Sequence, residues 1–224
     1  MNGWMGPLSR FLNLLIHGGW LMLPIVGCSL VAVAVFIERW RAFSRANVDA
    51  NQLISRVMRL VREERSGEAL DICRASPGPV ARILEVGILH KDESVSNDRI
   101  AMGDAAKLEV DRLEKGLPLL VTIGQIAPLL GLLGTVSGMI EVFQEIEALS
   151  GHVAVADISA GIWQALLTTA GGLVVATLSV IAHHYLTRKV EMFVQDSESA
   201  AVSVLELVRA RQKGGDDTSD VGYR

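Results

Sequence analysis

Ala127-Pro128-Leu129-Leu130-Gly131-Leu132-Leu133-Gly134-Thr135-Val136-Ser137-Gly138-Met139-Ile140 lies within a run from Gly116 to Ile140 that contains no charged residue. A helix over that run covers about 37 Å at about 1.5 Å per residue, against a bilayer hydrocarbon core of about 30 Å. It can therefore span with some tilt. Pro128, Gly131, Gly134 and Gly138 are poor residues for a soluble helix, but in a membrane small residues let helix backbones approach closely. The stretch reads as a packed helix of a bundle, with these four residues at the packing face.

Two further runs lack Asp, Glu, Lys and Arg: Phe11 to Ile37 and Ile158 to Thr187. Each exceeds the roughly 18 residues that mark a spanning candidate, so the sequence predicts three transmembrane helices: 11–37, 116–140 and 158–187. The first is longer than the apolar core of a signal peptide, and no small-x-small cleavage site closes it. It reads as a span. Of the 21 Lys and Arg residues, one precedes the first span, fourteen lie between Glu38 and Lys115, six follow Thr187, and none lies between Glu141 and Asp157. Positive loops stay inside, which places 1–10 and 141–157 outside and 38–115 and the C-terminus in the cytoplasm. Cys28 falls in the first span and Cys73 in the cytoplasmic loop, so they do not form a disulfide framework.

The cytoplasmic loop shows helical periodicity. Leu53, Ile54, Val57, Met58 and Val61 form one apolar face; Ser76-Pro77-Gly78-Pro79 breaks the helix; Val80, Ile83, Leu84, Val86 and Leu89 begin another face. A third helix from about Asp98 to Glu114 meets no strong breaker and is expected to run into the second span as one rod. Helical character returns over 188–212, and 213–224 read as a disordered tail. Strand signals are absent, so the expected fold class is an all-α membrane protein with long helical cytoplasmic extensions.

No acid or base lies inside the spans except His17 near the outer end and His183 and His184 near the inner end. A proton relay normally needs a titratable side chain within the membrane. The chain offers neutral polar groups instead: Thr122, Gln125 and Thr135 on the second span, and Gln164, Thr168, Gly172, Val175 and Ser179 on one face of the third. Counting rise from the outer boundary puts Thr135 about 8 Å deep, Gln164 about 9 Å and Thr169 about 17 Å. Thr135 and Gln164 are thus expected at one level of a shared lumen. A threonine in such a helix also commonly bonds the carbonyl one turn back, whereas the amide of Gln164 carries hydrogen-bonding sites that lipid cannot meet. His183 and His184 diverge on a helix and read as interfacial, not as metal ligands.

Residues 127–140 with Phe143, together with Gly161-Ile162-Trp163-Gln164-Ala165-Leu166-Leu167-Thr168-Thr169-Ala170-Gly171-Gly172-Leu173, resemble the two signature motifs of the MotA/TolQ/ExbB proton-channel family. Pro24 and the exit Ile37-Glu38-Arg39-Trp40 of the first span fit as well. Three spans resemble the ExbB/TolQ branch more than MotA, which has four; within it ExbB is the nearest type, with TolQ and a gliding-motor relative close behind. The resemblance implies a homopentamer in the bacterial inner membrane whose second and third helices line a pore. It also implies a single-span ExbD/TolR-like partner with a proton-carrying aspartate and a TonB- or TolA-like protein that is driven by the motor. Thr135 and Thr169 match the lumen-facing threonines, and Gln164 and Thr168 join them on the implied pathway. Many relatives carry Glu where this chain has Gln164, and the usual Pro after the motif is Leu178 here.

The competing reading is a membrane scaffold that anchors a partner without conducting ions. Secondary transport fits poorly, because there is no inverted repeat, interrupted helix or midplane charge. No nucleophile, base and oxyanion donor set can be assembled, so no enzyme, cofactor or metal site is expected. The fourteen basic residues of the long loop are matched by fourteen acidic ones, which argues against nucleic-acid binding.

Overall fold

A computed structural model describes residues 19–46, 50–90, 95–148 and 155–219. Among these the regular structure is helical throughout: α1 Met22–Ala46, α2 Ala50–Arg62, α3 Ser66–Ala75, α4 Pro79–Leu89, α5 Val95–Glu114, α6 Leu117–Ala148 and α7 Val155–Ser219. The expected segments 1–10 and 11–18, the outer part of the first span, lie outside the described residues. The chain divides into two units, one of Met1–Ile37 with Gly116–Tyr185 and one of Glu38–Lys115 with Leu186–Arg224.

The first unit holds the apolar helices. Met22–Ser44, Arg99–Ala148 and Ile158–Glu206 are each long and apolar enough to cross a membrane, with mean hydropathy of 1.9 to 2.0 over their most apolar windows. Only 17 to 28% of those windows is buried within the protomer, so most of their apolar surface is left for lipid or other chains. Leu129, Leu132, Leu133, Val136, Ile140 and Phe143 of α6 are all exposed, as are Leu173, Val174, Leu178 and Ile181 of α7. Inside the unit, Phe36 of α1 meets Tyr185 of α7 with ring centroids 6.2 Å apart.

The second unit has a core of ordinary soluble type. Ala50, Leu53, Ile54, Val57, Met58 and Val61 are the buried face of α2, matching the periodicity of the sequence. They pack with Ala69, Cys73, Val80, Ile83, Leu84, Ile88, Met102, Ala200 and Val204. Close approach of α4 depends on Gly87, where an added Cβ would stand 2.9 Å from both Met102 Sδ and Val204 Cγ1. Pro79 opens α4 at a position where its missing N–H costs nothing, after Gly78 at φ 112°. Phe43 stacks on Phe193, centroids 5.8 Å apart.

The structure departs from the sequence reading at four places. The rod expected to join α5 to the second span is interrupted, because α5 ends at Glu114 and Gly116 adopts φ 86° before α6 begins at Leu117. Pro118 supplies the cause: within a continuous helix its ring would clash with the carbonyl of Glu114 and it donates no N–H. A second break, between α2 and α3, falls at Glu64, whose φ is 64°. Arg65 N–H donates to Leu60 O at 2.9 Å and Glu64 N–H to Val61 O at 3.3 Å, the paired bonds of a Schellman ending. At its C-terminal end α6 continues past Ile140 to Ala148 and takes Glu141, Glu145 and Glu147 with it, so the segment expected as a loop over 141–157 is partly helix. Finally, α7 runs to Ser219, where a disordered tail is expected from Lys213. Arg209 to Lys213 are good helix formers and carry the helix to the start of that segment, whereas nothing in the propensities of Gly214 to Ser219 explains its continuation.

Candidate functional site

Gly131, Gly134, Gly138, Thr168, Thr169 and Gly172 meet where α6 and α7 run against each other, whereas Thr122 and Gln125 are exposed. Their contact is made by missing side chains. A Cβ on Gly138 would lie 2.9 Å from Ala165 Cβ, one on Gly134 2.5 Å from Thr168 Cγ2, and one on Gly131 3.0 Å from Thr169 Cα. From the other side, a Cβ on Gly172 would strike the carbonyl oxygen of Ala127, and one on Gly161 would strike Val142 Cγ2. Pro128 lies inside α6 and donates no N–H, which leaves the Gly124 carbonyl without its helical partner.

The hydroxyls have separate roles. Thr169 Oγ1 donates across the interface to Gly131 O at 2.8 Å. Thr168, expected on the pore wall, is only 1% exposed, buried between the two helices, and donates to Gln164 O at 2.9 Å. Thr135 is half-buried and donates along its own helix to Leu132 O at 2.7 Å. Ser179, one of the five residues expected to share a face of α7, is 1% exposed and its Oγ has no hydrogen-bond partner. Thr122 bonds back to Pro118 O at 3.0 Å.

Gln164, expected level with Thr135, lies nearer to Gly138. Its neighbour Ala165 faces Gly138, which puts Gln164 level with Gly138, about 4.5 Å along α6 from Thr135 at about 1.5 Å per residue. There Gln164 lines a recess of about 10 Å³, together with Gly19, Trp20, Leu21, Gly134, Ser137, Gly138, Thr168 and Glu141. That volume is room for about one water. The Gln164 amide is held against the backbone at Gly19, where φ is 72° and a Cβ would fall 2.5 Å from Nε2.

Two α6 residues of this recess are not singled out by the sequence, Ser137 and Glu141, nor are Gly19, Trp20 and Leu21 before α1. The signal was present: Gly134, Gly138 and Glu141 follow helical intervals of four and three, so an α6 extended by one turn puts Glu141 on the glycine face. The first charge ends the apolar run but not the helix. The arrangement can hold water and exchange hydrogen bonds with it, and among the described residues that line it the one ionisable group is the Glu141 carboxyl.

Outside the membrane-like unit, burial pushes the Cys73 thiol up to about 11, with the negative charge of Glu85 adding to the shift. The Arg74 guanidinium is also raised, by its hydrogen bond to Glu85 at 2.9 Å and by that carboxylate's charge.

The MotA/TolQ/ExbB proton channel family matches residues 75–199. The chain is 33% identical over 165 residues to the putative biopolymer transport protein ExbB-like 3 of Synechocystis, covering 73% of this chain and 79% of that one. It is 30% identical over 203 residues to ExbB-like 1 of the same organism, covering 89% and 79%. Against the Tol-Pal system protein TolQ of Pseudomonas aeruginosa it is 27% identical over 193 residues, covering 77% and 79%.

Proposed function

Since the chain belongs to the MotA/TolQ/ExbB proton channel family, we propose that it is the channel-forming subunit of a proton-driven motor in a bacterial inner membrane. Five copies surround a pore, and α6 and α7 form its wall. An ExbD/TolR-like single-span partner threads the pore and carries the membrane aspartate that binds the proton. Rotation of the pentamer about that partner drives a TonB- or TolA-like protein and so energises outer-membrane transport. The N-terminus lies in the periplasm; the second unit and the C-terminus lie in the cytoplasm.

The observation that carries this reading is the neutral hydrogen-bonding character of α6 and α7 within a pair whose outer surfaces are apolar and exposed. Along 117–140 and 158–182, which carry no acid or base, such a wall solvates a proton without binding it, so the charge at that depth has to be supplied by a second chain. Thr135 and Thr169 are the wall residues in this scheme. Gln164 cannot titrate, and its role is to orient water.

The test is co-reconstitution with the partner in liposomes and measurement of proton flux under an imposed gradient. Flux is expected in the wild type, with a loss of tenfold or more in the Thr135→Ala, Thr169→Ala double variant and in a variant of the partner aspartate. Equal flux in all three rejects the pathway. The second reading, a non-conducting scaffold, draws on Gln164 standing in place of a titratable group. A partner helix without any acid would favour it; a TolQ-type or gliding motor subunit, serving envelope maintenance or motility, is the alternative within the conducting reading.

A further inference from the structure

The recess beside Gln164 combines a carboxylate, an amide and a hydroxyl with space for about one water. We propose that it is a proton-loading site at the outer end of the α6 and α7 pair, with Glu141 as the group that binds the proton. This rests on the motor reading for its physiological direction, but the site itself does not.

Glu141 is exposed and lines the recess from α6, whereas Gln164 lines it from α7. An amide suits such a neighbour in both protonation states. An amide N–H can donate to a carboxylate, and an amide carbonyl can accept from the O–H of a neutral acid. A second carboxyl at 164 would instead repel Glu141 and force one of the two to hold its proton. Among the described residues that line the recess, from the segment before α1, from α6 and from α7, Glu141 is the only charged or titratable one. Glu145, the next acid on α6, is one turn further along, exposed, and does not line it. The step balances simply: the Glu141 carboxylate takes a proton from a hydronium ion, leaving water and a neutral acid. The acid later gives that proton through the recess water to the next base, the carboxylate of the pore partner.

The existence of the site is tested on the full chain alone, in liposomes, by infrared titration of the protonated-carboxyl stretch. Gln164→Glu places a second carboxyl in the recess, and coupling to Glu141 is expected to keep one of the two protonated at least about one pH unit above the value for Gln164→Glu combined with Glu141→Gln. Gln164→Glu combined with Glu145→Gln should titrate like Gln164→Glu alone. Identical titration with and without Glu141 overturns the site. The loading role is tested with the partner present: Glu141→Gln should lower proton flux several-fold at alkaline outside pH and much less at acidic pH. Coupling without any effect on flux overturns loading. No flux in the wild type overturns the motor reading instead, and the infrared result still decides whether the site exists.

Discussion

Thr169 donates from one long helix to the other, at 2.8 Å to Gly131 O. Interhelical hydrogen bonds in membrane proteins contribute about 0.6 kcal/mol on average and up to about 1.7. Thr169→Val is therefore expected to destabilise the helix pair by about 1 kcal/mol, and Thr135→Val, whose bond is within one turn, by much less; unfolding by detergent titration measures both. Ser179 should behave in the opposite way. Its buried Oγ lacks a partner, and an unsatisfied hydroxyl carries a desolvation cost of about 1 kcal/mol or more. Ser179→Ala is expected to leave stability unchanged or to raise it by about 1 kcal/mol in the same assay. A loss of stability would mean that the hydroxyl is bonded in the membrane.

At the scale of the element, Gly116 ends one helix and admits the next at φ 86°, with Val35 Cγ1 3.3 Å from where a Cβ would be. An L side chain pays roughly 1 to 2 kcal/mol in the left-handed region, so Gly116→Ala should lower the thermal midpoint of the purified protein, read by circular dichroism. Much of the helical layout was legible in the sequence. The apolar face of α2 and the start of α4 at Pro79 follow from periodicity and from a Pro-Gly-Pro break. The end of α2 was not legible, because it depends on Glu64 at positive φ, and Glu has no preference that announces a left-handed residue. For the site, charge-free runs located the helices but also fixed their ends too early. A bilayer boundary and a helix end are different physical limits, so the charge-free run ending at Ile140 does not end α6, which carries Glu141 on to the recess beside Gln164.

For the molecule as a whole, the two units are held together by different physics. One is built on close backbone approach and leaves its apolar surface outside; the other buries its apolar residues as a soluble domain does. Cys73 reports on the second. It is 2% exposed and its thiol is pushed up to about 11, and the reactive form is the thiolate. In a Cys28→Ser background, alkylation by iodoacetamide at pH 8 should be slow until that unit is unfolded by urea; rapid labelling of the folded protein would contradict the burial. The same shift has a sign for stability. The folded thiol retains its proton where the unfolded one has lost it, so the contribution is full below the unfolded value near 9 and is lost as pH rises through about 11. The glycines of the α6 and α7 contact have a consequence at the level of the gene. At Gly134, Gly138 and Gly172 the structure needs an absence of atoms, and every missense change of one base in a glycine codon adds a side chain. These three codons have no conservative neighbour, so random mutagenesis of the gene should return loss-of-function alleles there without mutational bias and without any change of charge being required.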